Sequence, residues 1–229
     1  MTMKTKPSEK PKPEPSDGEF KNYAAIYAPR SRTRYVHLSE PNRRMKAAGE
    51  YSVDVLLPEG AEKTVEFLSK MSAHLDAYRE TLSAIELKKF NSSKENPFFR
   101  EAFADKEKTE RLQDADGNDL ISFTFKMPAM REKDGVTIPQ RPKIVDSKTN
   151  VVPPSVKIGG GSELIVTGKM NAYHGQFGRG VSLYLTGAQV CKLVAFDGPS
   201  FSVQDDDDGY VHGGGAPTAE SEDGGARDY

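Results

Sequence analysis

Apolar and polar residues alternate along much of the middle of the chain, with the period of two that is typical of half-buried strands. The clearest run is 121–127, where apolar residues share one face and Ser122, Thr124 and Lys126 share the other. Further strands are predicted at 20–28, 35–38, 50–57, 143–146, 163–170 and 181–196. Gly187 predicts a bulge or a bend in the last of them. The pattern therefore predicts a mainly β protein.

One stretch, residues 62–90, has the period of a helix instead. Its apolar residues recur every three or four positions and charged residues lie between them, which predicts one long amphipathic helix. The apolar stripe consists of Leu68, Met71, Leu75, Tyr78, Leu82 and Ile85. A coiled-coil seam is the alternative, but about two and a half heptads is short for one, so packing across the strands is favoured.

Several short strands with one inserted helix favour an OB-fold-type β-barrel. A β-sandwich remains the alternative, because periodicity does not distinguish the two architectures. Residues 1–19 contain four prolines and almost no apolar residues, and 205–229 are rich in Gly, Asp and Glu. Such segments do not bury enough surface to offset the entropy of ordering. The sequence thus predicts a disordered N-terminal arm (1–19), one domain (20–204) and a disordered acidic tail (205–229).

Charge is divided unevenly between the domain and the tail. Residues 205–229 hold eight acidic residues and one arginine, while residues 1–204 hold 31 basic and 26 acidic ones, so the two parts carry −7 and +5. A basic body with an acidic tail indicates a polyanionic partner and a tail that imitates it, although a merely solubilising tail is equally compatible. The tail residues of interest are Asp205, Asp206, Asp207, Asp208, Glu220, Glu222, Asp223, Asp228 and Tyr229.

Motifs for catalysis, metals and cofactors are not found in the sequence. Cys191 is the single cysteine, and the four histidines are dispersed. The glycine run at 159–161 precedes a strand and lacks the Lys-Ser/Thr ending of a phosphate loop, so it is interpreted as a turn. We therefore expect no enzyme activity, cofactor or metal. The sequence also lacks an apolar export signal or membrane span, which predicts a cytoplasmic protein without a membrane partner.

Two clusters of aromatic and cationic residues are the strongest candidates for a binding site. The first contains Tyr23, Tyr27, Arg30, Arg32, Arg34 and Tyr35; the second contains Lys169, Tyr173, His174, Phe177, Arg179 and Tyr184. Single-stranded nucleic acid needs cations for its phosphates and flat faces for its bases. Phe123 and Phe125 are better explained as core, whereas Tyr173 and Phe177, in an apparent hairpin loop, are expected to be exposed.

These clusters suggest a single groove that holds one strand. Its phosphates would follow a series of basic residues: Arg30, Arg32, Arg34, Lys143, Lys169 and Arg179. Its bases would stack on a series of aromatic residues: Tyr173, Phe177, Tyr23, Tyr27 and Phe98.

Several segments, in this order and spacing, resemble the single-stranded-DNA-binding proteins of tailed bacteriophages. The densest likeness is at 145–148, 158–164, 172–173, 180–185 and 193–196, with weaker echoes at 23–26, 97–99 and 123–126. The resemblance covers roughly residues 20–200 and the character of the tail. It implies an OB fold that carries an acidic C-terminal tail.

The same resemblance implies a function. Such a protein coats single strands during phage DNA replication, recombination and repair, promotes annealing, and contacts DNA polymerase and helicase or primase through its tail. It would act in the cytoplasm of the bacterial host, and a homodimer or a cooperative assembly on DNA stays open. A scaffold for protein interactions and an accessory subunit of a nucleic-acid enzyme are the alternatives. The family carries a tryptophan soon after the tyrosine that corresponds to Tyr173; this chain has no tryptophan, which divides the stacking role among Tyr173, His174 and Phe177.

Overall fold

A computed structural model describes residues 20–196, so the predicted arm and acidic tail lie outside the described residues. This part of the chain is mainly β, as the alternation predicts. The helices are α1 (Glu62–Glu80) and α2 (Ala84–Ser92). The strands are β1 (Ala24–Tyr27), β2 (Ser31–Asn42), β3 (Glu50–Pro58), β4 (Arg100–Glu101), β5 (Leu120–Pro128), β6 (Met130–Lys133), β7 (Val136–Pro139), β8 (Lys143–Asp146), β9 (Glu163–Gly175) and β10 (Gly178–Lys192).

Five of these strands pair in a closed ring. Antiparallel pairs join β2 to β3, β3 to β5, β10 to β9 and β9 back to β2. The remaining pair, β5 with β10, is parallel, with Leu183 opposite Phe125. This strand order is that of an OB-type fold, which the sequence favoured over a sandwich. Strand β1 adds to the free edge of β9, and β8 adds to β10.

The inner face of the ring forms the core. Phe123, Phe125, Val53 and Val55 are fully buried, so the interpretation of the two phenylalanines as core is confirmed. Helix α1 contributes Phe67, whose ring meets that of Phe123 edge-on with centroids 5.0 Å apart. The outer faces of β5, β9 and β10 are consequently free to carry polar and aromatic side chains.

The prediction of one long helix is wrong, because the chain breaks at residues 81–83. After α1 the Thr81 hydroxyl donates to the Tyr78 carbonyl, and Ser83 starts α2 with a capping box to Glu86. Apolar spacing continues through this break, which is why periodicity alone does not reveal it. Ile85, assigned to the buried stripe, is 71% exposed.

Several strand boundaries also differ from those predicted. Strand β1 is shorter than the predicted 20–28, and β10 ends at Lys192 rather than at residue 196. Strand β9 extends to Gly175, so Tyr173, which was expected to be exposed in a hairpin loop, lies on a strand and is half-buried. The bulge is confirmed, since the β9–β10 register shifts between Leu185 and Gly187.

The hairpin β6–β7 is absent from the prediction. Asp134 and Gly135 form its two-residue turn, and both have positive φ, 54° and 77°. An Asp-Gly pair is a strong local signal for such a turn, but the flanking strands are too short and too polar to show the usual alternation. No helix within residues 20–196 is long and apolar enough to cross a membrane.

Candidate functional site

A groove of about 610 Å³ runs over the outer face of β5, β9 and β10, and it is called the outer groove below. Aromatic side chains from four separate parts of the chain line it: Tyr23, Phe98, Tyr173 and Tyr184. Arg100 and Lys126 supply cationic groups to the same wall. The structure therefore brings together three of the predicted stacking residues, Tyr23, Phe98 and Tyr173, with Tyr184 of the second cluster, and Tyr23 is 61% exposed.

The register of the sheet places a tyrosine between two lysines in this region. Tyr184 on β10 pairs with Lys126 on β5 and with Lys169 on β9. Directly paired residues project from the same face of a sheet and lie about 5 Å apart. Lys126, Tyr184 and Lys169 thus form one row across three strands, with an aromatic face flanked by positive charges. This row is called the Lys–Tyr–Lys row below.

Hydrogen bonds hold two groove tyrosines by their hydroxyl groups. The Tyr184 hydroxyl donates to Oε1 of Gln140 over 3.2 Å, and Gln140 in turn donates to the Pro128 carbonyl. The Tyr173 hydroxyl accepts from the Asn96 amide over 3.1 Å. Because these hydroxyls are already held, each ring has less rotamer freedom to lose when a base stacks on it. The entropic cost of binding is therefore lower.

Carboxylates compensate only part of the positive charge. Lys126 Nζ lies 3.2 Å from Glu50, which also pairs with Lys46. Burial opposes ionisation of Glu50, but hydrogen bonds from the two lysines outweigh it and lower the pKa of that carboxyl, so Glu50 is ionised at neutral pH. Within residues 20–196, neither Lys169 nor Arg100 has a carboxylate within salt-bridge distance.

The β9–β10 hairpin ends in a tight turn that displays Phe177. This side chain is 83% exposed, in agreement with the prediction of exposure. The Asn96 amide donates to the Phe177 carbonyl over 2.9 Å. Gly178 follows with φ +107°, and a Cβ there would lie 2.5 Å from the Lys94 carbonyl oxygen, so only glycine fits. The turn is therefore anchored while its aromatic ring remains available.

Arg179, predicted to contact phosphate, is engaged in holding helix α2. Its Nη1 donates to the carbonyls of Phe90, Asn91 and Ser93, and its Nη2 pairs with Glu95 over 2.9 Å. The guanidinium also lies over the Phe90 ring, 5.0 Å from its centroid. These contacts satisfy carbonyls that the end of a helix leaves free. Arg179 consequently has a structural role in this state.

His174 projects from the opposite face of β9 to Tyr173. A 3.0 Å hydrogen bond joins its Nδ1 to the Tyr78 hydroxyl, and it packs beside the rings of Tyr78 and Phe90. Of the three residues that could share the stacking role, Tyr173 lies in the outer groove and Phe177 at the hairpin tip. His174 joins the helices to the sheet.

The basic run of the first cluster, Arg30, Arg32 and Arg34, does not line the outer groove. Arg32 pairs with Glu163, ten residues before Tyr173 on β9, which at about 3.4 Å per residue is roughly 34 Å of strand. Arg32 is therefore distant from Tyr173 along β9, whereas Arg34 pairs with Asp54 on β3, whose partner Thr124 on β5 lines the groove.

The same cluster also contains three tyrosines, of which Tyr23 lines the outer groove. Arg30 forms an ion pair with Glu163, and Arg34 lies over the ring of Tyr35 and donates to the Phe103 carbonyl. Tyr35 and Tyr27 are exposed, and Tyr27 sits opposite Thr167. Lys143 pairs with Gly187, three residues past Tyr184 on β10.

Asn96, Arg100 and Lys126 line the outer groove but were not predicted as site residues, and neither was Gln140, which holds the Tyr184 hydroxyl. Lys126 stood on the polar face of a predicted strand, and Arg100 follows Pro97-Phe98-Phe99 directly, so both had a local signal. Asn96 and Gln140 act through partners 77 and 44 residues away in sequence, which no local pattern reveals. In the described part of the chain, no three His, Cys, Asp or Glu side chains converge as they would around a metal.

Comparison with known proteins gives no match by sequence, either to a protein family or to a curated protein. Structural comparison finds gp2.5, a single-stranded DNA binding protein encoded by bacteriophage T7, with a TM-score of 0.57 at 19% identity, covering 83% of this chain and 99% of that one. The single-stranded DNA-binding protein from bacteriophage Enc34 also matches, with a TM-score of 0.47 at 14% identity, over 78% of this chain and 87% of that one. The chain is therefore similar in fold to the single-stranded DNA binding protein of bacteriophage T7.

Proposed function

We propose that this chain is a non-enzymatic protein that binds single-stranded DNA without regard to sequence. The observation that carries the proposal is the Lys–Tyr–Lys row, in which Lys126 and Tyr184 line the outer groove together with four further aromatic residues. A base stacked on Tyr184 would have the phosphates on either side within reach of Lys126 and Lys169. Stacking is indifferent to base identity because every base has a flat face, and each stacked base contributes about 1–3 kcal/mol.

The biological role that fits this chemistry is the coating and protection of exposed strands during phage DNA replication, recombination and repair. The fold shared with the T7 protein supports this assignment. An excess of basic residues in 1–204 supports it independently, since a positively charged body attracts a polyanion.

We expect oligo(dT) to bind much more tightly than duplex DNA of equal length, with strong salt dependence. Each phosphate neutralised on a single strand contributes about −0.7 to the slope of log K against log salt. Lys126→Ala/Lys169→Ala should therefore weaken binding at low salt and make the slope shallower by about 1.4. Fluorescence anisotropy of labelled oligonucleotides across a salt titration measures both quantities.

A matched control removes two lysines that lie outside the groove. Lys63→Ala/Lys88→Ala takes the same charge from exposed positions on α1 and α2, and its slope should stay close to that of the unmodified protein. Equal loss in both double variants would show a general effect of net charge and count against the groove. Preference for duplex would refute single-strand binding altogether.

We further propose that the acidic tail competes with DNA for the basic body and recruits replication proteins such as polymerase, helicase or primase once DNA displaces it. Its aspartate run resembles a row of phosphates, and Tyr229 offers a ring. The glycines before and within the tail suit a flexible tether, which gives an effective concentration on the order of millimolar.

Deletion of residues 205–229 tests this regulation. The shortened chain should bind oligo(dT) more tightly than the full chain at low salt, and the difference should shrink as salt rises. It should also lose contact with purified polymerase or helicase in a pull-down. A control in which the acidic residues are replaced by Asn and Gln separates charge from length. Weaker DNA binding after deletion would contradict the competitor role.

A further inference from the structure

A second polar cavity, of about 580 Å³, lies between the end of helix α2 and the β9–β10 turn, and it is called the tip cavity below. His174 and Gly175 line it, whereas Tyr173 lines the outer groove. Since successive residues of a strand face opposite sides, the two cavities lie on opposite faces of the same hairpin. Phe177 stands at the tip, where these faces meet.

The side chains of the tip cavity suit an anion. Lys89, Lys94 and His174 line it, together with Ser92 and Ser93. Among residues 20–196, no carboxylate lies within salt-bridge distance of either lysine. Two ammonium groups without a protein counter-ion present a site for phosphate oxygens.

Two negatively charged or partly negative groups near the tip cavity already have hydrogen-bond partners within the protein. Glu86, the acidic residue that His174 and Lys89 influence electrostatically, is engaged in the capping box with Ser83. The carbonyls at the end of α2 carry the negative pole of the helix, but Arg179 donates to three carbonyls there. Arg179 therefore stabilises the helix and also reduces the repulsion that a phosphate would meet in the cavity.

The backbone around the cavity is held in place on both sides. The Arg179 amide donates to the Lys94 carbonyl over 2.8 Å, and the Ser93 hydroxyl lies 3.3 Å from the Gly175 carbonyl. Lys94 thus begins its side chain directly beside the hairpin turn. On the other face of the turn, Asn96 holds both Tyr173 and Phe177. The two cavities are joined through one short, well-anchored segment.

We propose that a bound single strand does not end in the outer groove but turns around the hairpin tip, where Phe177 stacks a base and Lys89 and Lys94 bind the following phosphates in the tip cavity. This inference rests on the proposed function. From Tyr173 to Gly175 the strand advances about 7 Å, so the turn needs only one or two nucleotides. Phe177 does not line the outer groove, and this path gives its exposed ring a base to stack on.

A series of oligo(dT) lengths from about 4 to 16 nucleotides tests the path, since OB folds cover about that range. The unmodified protein should gain affinity as the strand becomes long enough to reach the tip cavity. Lys89→Ala/Lys94→Ala should bind the shortest oligonucleotides as the unmodified protein does, lose the later gain, and show a salt slope shallower by about 1.4 on long ones only. Phe177→Ala should weaken binding of the long strands alone by about fivefold or more.

The matched control is Lys63→Ala/Lys88→Ala, because Lys88 sits on α2 beside Lys89 but does not line the cavity. It should follow the unmodified protein at every length. The proposal is overturned if Lys89→Ala/Lys94→Ala resembles this control on long strands, or loses as much affinity on short strands as on long ones. Failure of the unmodified protein to bind any length would instead refute the proposed function, and the inference with it.

Discussion

Replacing Tyr173 and Tyr184 together with alanine should weaken oligo(dT) binding by about 30-fold or more. Both rings line the outer groove on neighbouring strands, so each can stack a base of the same DNA strand. Loss of one stacked base costs about 1–3 kcal/mol, and two such losses correspond to at least about 2 kcal/mol, or about 30-fold in the dissociation constant. Anisotropy titrations at fixed salt measure the change.

The companion variant Tyr173→Phe/Tyr184→Phe identifies the cause. It keeps both rings but removes the hydroxyls that contact Asn96 and Gln140. If stacking provides the affinity, this variant should bind within a few fold of the unmodified protein. Equal and large losses in both variants would mean that the hydroxyl contacts, and not the ring faces, are what DNA binding requires. No loss in the alanine variant would remove the groove from the binding site.

Replacing Arg179 with alanine should lower the free energy of unfolding by about 2 kcal/mol or more. The substitution leaves the last carbonyls of α2 without their donor and removes an ion pair and a contact with the Phe90 ring. Hydrogen bonds that involve a charged group contribute about 1.5–3 kcal/mol, and a cation near a helix C-terminus adds a few tenths to one. Urea unfolding followed by circular dichroism gives the value.

Arg30→Ala is the matched comparison for Arg179→Ala. Arg30 also pairs with a glutamate, but its side chain is largely exposed and makes no contact with a helix end. Exposed ion pairs contribute at most about 1 kcal/mol, so this variant should be nearly as stable as the unmodified protein. Similar stability of both variants would contradict the structural role of Arg179. If the Arg179→Ala protein is folded but no longer binds short oligonucleotides, the prediction that Arg179 contacts a DNA phosphate would be supported instead.

Much of the fold follows from local patterns in the sequence. The alternation over 121–127 defines both the strand and its buried face, because a one-residue shift would expose Phe123 and Phe125. Long-range pairing is different. Nothing in the sequence of β10 shows that it pairs in parallel with β5. The OB-type barrel was therefore predicted only from the number and length of the strands and the inserted helix. The break between α1 and α2 was missed because a capping box interrupts a helix without interrupting its apolar spacing.

Proximity of candidate residues was predictable where they are close in sequence. Tyr173, Tyr184 and Lys169 were correctly expected close together, since the hairpin between them is short. Arg179 belongs to the same stretch of sequence, yet its partners are carbonyls of a helix more than eighty residues earlier, and sequence gives no sign of them. The distance between Arg32 and Tyr173 likewise depends on the length of β9, which was predicted five residues too short.

Closure of the ring by β10 has a consequence for synthesis of the protein. This strand pairs with β5, β8 and β9, and its partner Phe125 precedes Leu183 by 58 residues. Until β10 leaves the ribosome, β5 has an open edge and the core has one side missing. Contacts between residues so distant in sequence form slowly, and strand edges stay exposed until those contacts have formed. A stop codon at Gly178, which removes all of β10, should thus yield an aggregating fragment rather than a smaller barrel, which measurement of its solubility on expression can establish.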